Sequence, residues 1–115
     1  MNLPRLVLIA MMLVLPLSGC LKPVPIPPEK SAYVGEWQQK SMYLQITQEG
    51  EVHYWRSEDG VTSKINAPLK RFNGNDFEVG MGWFSTTFIV SKPPYQEDGQ
   101  WKMVVDGVKL TRAAL

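Results

Sequence analysis

Short runs of alternating apolar and polar residues recur from about Ser31 to the C-terminus, separated by turns that contain glycine. The runs are rich in β-branched and aromatic residues, and no window has the spacing of an amphipathic helix. The pattern predicts an all-β domain, a small antiparallel meander that forms either a barrel or a two-layer sandwich. Four dipeptides place glycine where a tight turn needs a positive φ: Glu49-Gly50, Asp59-Gly60, Asn73-Gly74 and Asp106-Gly107.

The turn at Glu49-Gly50 decides which face of the neighbouring strands is apolar. A two-residue loop would pair Ile46 with His53, whereas a three-residue loop pairs Ile46 with Val52 and separates apolar from polar residues. We therefore predict the three-residue loop, followed by a two-residue turn at Asp59-Gly60. One inner apolar face then crosses three strands and consists of Leu44, Ile46, Val52, Tyr54, Ile65 and Ala67.

The last turn predicts a hairpin with one apolar face. A two-residue loop at Asp106-Gly107 pairs Val105 with Val108. The same register brings Trp101 opposite Arg112, which predicts a cation–π contact at the end of the apolar face.

Proline and glycine mark the irregular parts of the domain. Pro68 interrupts the third strand, which predicts a bulge or a change of sheet at that point. Trp83 to Val90 is predicted as the longest strand. Ser91 to Gln100 contains Pro93-Pro94 and is predicted as a loop.

The N-terminus has a different pattern from the rest of the chain. Arg5 gives a short positive start, and Leu6 to Leu17 is an apolar run. This run is shorter than the roughly 20 residues that a membrane-spanning helix needs, and it matches a signal-peptide core. It ends in Leu17-Ser18-Gly19-Cys20, which resembles the lipobox of bacterial lipoproteins.

The resemblance to bacterial lipoproteins implies a location in the cell envelope and a lipid anchor. Signal peptidase would cleave between Gly19 and Cys20, and the Cys20 thiol would carry diacylglycerol, with palmitate-like chains that hold the protein in the membrane. Leu21 stands where an inner-membrane lipoprotein of this type tends to have aspartate, which favours the outer membrane and a domain that faces the periplasm. Three segments are predicted: a signal peptide at 1–19, a lipidated cysteine with a Pro-rich tether at 20–30, and a β domain at 31–115.

Composition narrows the function classes once the signal peptide is removed. The chain has 12 basic and 11 acidic residues, and Arg5 is the only charged residue before Cys20, so the mature protein is neutral. A neutral domain lacks the basic surface that nucleic acid requires. With 115 residues the chain forms one small domain at most, and with a single cysteine it forms no internal disulfide.

The candidate site is a surface for a partner, because residues for catalysis are scarce. His53 is the single histidine, so we predict no catalytic residues, no metal site and no cofactor. In the predicted register Tyr43 and Trp55 pair across two strands, on the face away from Leu44. Either the terminal segment or the Pro-rich loop covers this face as a second apolar layer, or the face is exposed. In the exposed case the predicted partner-binding residues are Tyr43, His53, Trp55 and Arg56, the composition that interface hot spots favour.

Three kinds of binding protein fit this description. The first is an envelope lipoprotein that recruits a protein partner. The second is an inhibitor or immunity protein against a secreted hydrolase or toxin, with a protruding loop such as Ser91–Gln100. The third is a carrier of a small apolar ligand, because Gly35-Glu36-Trp37 resembles the G-x-W sequence of lipocalin-like barrels, although this domain is much shorter.

Overall fold

The structure is a computed structural model that describes residues 24–114. It is one antiparallel sheet curled into a half-barrel, with strand order β6-β5-β4-β3-β2-β1-β9-β8-β7. The predicted all-β antiparallel meander is therefore confirmed. The elements are a 3₁₀ helix at Pro28–Tyr33 and strands β1 Gly35–Gln39, β2 Met42–Ile46, β3 Glu51–Glu58, β4 Val61–Asn73, β5 Asp76–Met81, β6 Phe84–Phe88, β7 Val90–Glu97, β8 Gln100–Val105 and β9 Val108–Arg112.

The turn residues fix the strand registers as predicted. Ile46 pairs with Val52, so the three-residue loop at Glu49-Gly50 is confirmed. Tyr54 pairs with Ile65 across the next turn, and Val105 pairs with Val108 in the last hairpin. Each register brings apolar residues to the same face, because side chains alternate along a strand.

Strand β4 belongs to two parts of the sheet. Its first part pairs with β3 as far as Pro68, and its second part pairs with β5 from Leu69 onward. The register shifts between Leu69 and Arg71, so the bulge expected near Pro68 is confirmed.

Two predictions for the second half of the chain are wrong. The predicted long strand Trp83 to Val90 is shorter, because β6 covers only Phe84–Phe88. The predicted loop Ser91–Gln100 is mostly strand β7, which pairs with β8. β7 accommodates Pro93-Pro94 because it is an edge strand with an irregular register, so the missing proline N–H groups interrupt no second ladder.

Aromatic side chains fill the inside of the curled sheet. The rings of Phe77 and Phe88 stack with centroids 5.0 Å apart, and Tyr54 meets Phe88 edge-on at 5.0 Å. The guanidinium of Arg112 lies 5.0 Å from the Trp101 ring, which confirms the predicted cation–π contact. The fully buried side chains are Trp37, Met42, Leu44, Ile46, Val52, Phe77, Val79, Phe88, Met103, Val105 and Leu110.

The N-terminal segment begins to pack against the sheet several residues before the predicted start of the domain. Ile26 is 4% exposed, and its backbone N–H donates to the carbonyl of Gln48. Gly50 lies so close that an added Cβ would sit 1.9 Å from the carbonyl oxygen of Val24. Residues from Val24 onward, placed in the tether by the sequence, therefore contact the domain before the predicted boundary at residue 31.

The predicted signal peptide at residues 1–19 and the predicted lipidation site Cys20 lie outside the described residues. Within residues 24–114, no helix is both long enough and apolar enough to cross a bilayer.

Candidate functional site

Two aromatic side chains form a pair on the outer face of the sheet. Tyr43 on β2 lies directly opposite Trp55 on β3, as the register predicted. Both side chains are half-buried and point away from the core, because their strand neighbours Leu44 and Tyr54 are buried. We call Glu36, Tyr43, His53 and Trp55 together the aromatic face.

A hydrogen bond fixes the orientation of Tyr43. Its hydroxyl donates to Oε1 of Glu36 at 2.8 Å. Partial burial raises the pKa of Tyr43 to about 12, and the hydrogen bond and the negative charge of Glu36 act in the same direction. Tyr43 therefore stays protonated at neutral pH, and its hydroxyl is held by Glu36.

His53 lies beside this pair and is also held in place. It pairs with Gln45 across the strands, and its Nδ1 lies 2.7 Å from Oδ1 of Asn66. Because an amide oxygen only accepts, Nδ1 is the donor in this contact. Nε2 lies 3.8 Å from a carboxylate oxygen of Glu51. The ring therefore sits among polar surface groups at the edge of the aromatic face.

Arg56 does not belong to this face, so its predicted place beside Trp55 is wrong. It lies opposite Met42 and one residue after Trp55, on the inner side of the strand together with Tyr54. The reason is the two-residue alternation of β3, which separates neighbouring side chains onto opposite faces. Its Nη2 lies 3.5 Å from a carboxylate oxygen of Glu58. The structure thus brings together Tyr43, His53 and Trp55 only.

A second surface, which was not predicted from the sequence, lies at the turn between β5 and β6. Trp83 is 95% exposed and Met81 is 61% exposed, and the rings of Trp83 and Phe84 meet edge-on with centroids 6.3 Å apart. We call Met81, Gly82, Trp83 and Phe84 the apolar tip. A sequence signal was present, because no charged residue lies between Glu78 and Lys92.

Two surface grooves lie on either side of Arg112. One has a volume of about 420 Å³ and is lined in part by Gly35 and Ile46. The other has a volume of about 300 Å³ and is lined in part by Trp101. Both open at the end of the half-barrel where β1 begins and β9 ends.

Among residues 24–114, no group of three or more histidine, cysteine, aspartate or glutamate side chains is arranged to hold a metal ion. The hydrogen-bonded pairs of the described surface, such as Tyr43 with Glu36, fix side-chain orientation.

No protein-family model, no curated protein and no solved structure matches this chain.

Proposed function

We propose that this protein is a lipoprotein of the bacterial cell envelope that is anchored through Cys20 and binds a protein partner through the aromatic face. The anchor is proposed from the sequence Leu17-Ser18-Gly19-Cys20, and the outer membrane and the periplasm-facing orientation from Leu21. The observation that carries the binding role is the cross-strand pair of Tyr43 and Trp55 on the outside of the sheet.

The aromatic face has the composition of a protein-binding surface. Tyrosine and tryptophan offer large, rigid contact areas and are enriched among the residues that dominate interface energies. Polar groups surround the pair, with exposed Lys64 opposite Trp55 and the carboxylate of Glu36 bonded to Tyr43. Since the mature chain is neutral, we propose that shape and aromatic contacts, rather than long-range charge, select the partner.

The other two binding roles have less support. The inhibitor would use a protruding loop at Ser91–Gln100, but most of that segment is strand β7, paired with β8. The carrier would need room inside the sheet, where the stacked rings of Phe77 and Phe88 lie. We therefore propose a binding module that recruits a protein partner and performs no catalysis.

A photo-crosslinking amino acid in place of Trp55 is expected to trap a partner protein in intact cells. Trp55 is half-buried on the outer face, so a reactive group there faces a bound partner without disturbing the core. The measurement is a discrete, light-dependent adduct of higher mass, identified by mass spectrometry.

The matched control is the same amino acid in place of Tyr95. Tyr95 is also a half-buried aromatic residue, but it lies on β7 at the far edge of the sheet. We expect no adduct of the same mass from position 95. Absence of an adduct from position 55, in cells where the protein is present at its normal level, would contradict the proposed role of the aromatic face.

A further inference from the structure

The apolar tip differs from the other hairpin turns of residues 24–114. Each of the others has a charged residue in the turn or directly beside it: Lys40, Glu49, Asp59, Asp76, Asp98 and Asp106. The β5–β6 turn has Met81 and Phe84 as its flanking residues and Trp83 at its end, 95% exposed. Met81, Trp83 and Phe84 are consecutive or nearly so and are all exposed, and a contiguous exposed apolar patch marks a surface for contact with a protein, a ligand or a membrane.

The tip is too small to be a protein interface by itself. A specific protein interface buries about 800 Å² on each partner, whereas a large aromatic side chain contributes about 150–250 Å². Trp83 with the exposed parts of Met81 and Phe84 supplies roughly half of the needed area. A narrow apolar tip instead suits the interfacial region of a bilayer, where tryptophan is enriched because its ring is apolar and its N–H is polar.

The apolar tip is connected to the start of the packed chain through β4. Val24 lies in close contact with Gly50, and the carbonyl of Gly50 accepts a hydrogen bond from the backbone N–H of Leu69 at 2.7 Å. Leu69 pairs in turn with Val79 on β5. Two strand spacings of about 4.8 Å therefore separate Gly50 from β5, and Trp83 follows Val79 by four residues, about 13 Å along the hairpin.

The chain between the predicted anchor and the domain is short. Val24 is the fourth residue after Cys20, and an extended chain spans at most about 3.3–3.6 Å per residue. A lipid-anchored Cys20 therefore holds Val24 within about 14 Å of the lipid attachment point. At this distance the domain is held close to the headgroups, so an exposed tip on the same domain is within reach of the same bilayer.

We infer that the apolar tip inserts Trp83 and Phe84 into the interfacial region of the bilayer that carries the lipid anchor. The occupant is a phospholipid surface, which the tip enters without regard to headgroup charge. This second contact fixes the orientation of the domain and so presents the aromatic face in a constant direction. The inference rests on the proposed anchoring through Cys20.

The test uses the full-length gene product, purified from bacterial membranes and reconstituted into phosphatidylcholine vesicles. Tryptophan emission is compared between vesicles with brominated acyl chains, which quench nearby tryptophan, and vesicles with ordinary chains. We expect bromine-dependent quenching that Trp83→Phe abolishes and Trp55→Phe leaves unchanged. Both variants keep an aromatic side chain, and Trp83 is 95% exposed, so folding is preserved. We expect quenching to persist in 1 M salt, because the tip has no charge for salt to screen.

Several outcomes would overturn the inference. Quenching that is absent, or that is unchanged by Trp83→Phe, shows that the tip stays out of the lipid. An unquenched Trp83 in a protein that sediments as a dimer assigns the tip to a second copy of the chain.

The mass of the purified protein separates this inference from the proposed anchor. Lipid on Cys20 without quenching of Trp83 contradicts the tip insertion alone. Quenching of Trp83 in a protein without lipid on Cys20 contradicts the proposed anchor alone.

Discussion

Replacement of Trp37 by alanine is expected to lower the free energy of unfolding by about 3–5 kcal/mol, the range for large aromatic residues in a core. Trp37 is fully buried, and its indole N–H donates to the carbonyl of Tyr33 at 2.9 Å. The substitution leaves a cavity and removes the donor of a buried carbonyl, so the two costs add. The measurement is urea unfolding followed by far-ultraviolet circular dichroism.

The matched control for this prediction is Trp83→Ala. Trp83 is the most exposed of the described tryptophans, so its removal should change the free energy of unfolding by less than about 0.5 kcal/mol in the absence of membrane. Similar costs at the two positions would show that the core is not centred where the structure places it.

Replacement of Gly80 by alanine is expected to destabilise the β5–β6 hairpin by more than about 2 kcal/mol, since backbone strain of about 1–3 kcal/mol adds to a clash. Gly80 has a φ of +151°, and an added Cβ would lie 2.1 Å from the backbone carbonyl oxygen of Phe84. Backbone cannot move aside as a flexible side chain can, so the hairpin has to open.

Gly82, two residues further on, is the control for Gly80. It also has a positive φ, +61°, but an added Cβ would meet no atom within 4 Å. Gly82→Ala should therefore cost only about 1–2 kcal/mol, the strain of a left-handed residue. Urea unfolding of both variants measures the difference, and a smaller effect at Gly80 than at Gly82 would contradict the described hairpin geometry.

Local signals were sufficient to predict the pairing of β2, β3 and the first part of β4, and the last hairpin. The Glu49-Gly50 turn has one register that separates apolar from polar residues, and the structure has that register. The same holds for Val105 with Val108. In these hairpins the turn residues and the apolar pattern favour the same strand register. That register brings the apolar residues to one face, which is the buried face of the sheet.

The errors fall where the outcome depends on distant parts of the chain. Pro93-Pro94 is locally a loop signal, but an edge position in the sheet allows a strand there. Ile26 lies in a proline-rich stretch, yet the Gln48 region of the sheet provides both a buried site and backbone partners for it. Neither the edge nor the docking site is visible in a short window of sequence.

The sequence was sufficient to predict one part of the candidate site but not the rest. The register placed Tyr43 opposite Trp55, as observed, whereas Arg56 was assigned to that face against the alternation of its own strand. The exposure of Trp83 was missed because a tryptophan in a short β sequence usually contributes to the core. The absence of charge between Glu78 and Lys92 was the available signal for that surface.

The central claim is that Cys20 anchors this protein to the envelope membrane, and lipid labelling of Cys20→Ala tests it most directly. Cells that produce the full chain are grown with a clickable palmitate analogue. They should yield a labelled, membrane-bound protein whose mature sequence begins at Cys20. Ser18→Ala, which keeps a small residue before the cysteine, should behave like the original chain. We expect Cys20→Ala to lose all label and to remain uncleaved after Gly19. Absence of label on the original chain, with unchanged membrane fractionation of Cys20→Ala, would contradict the proposed anchor.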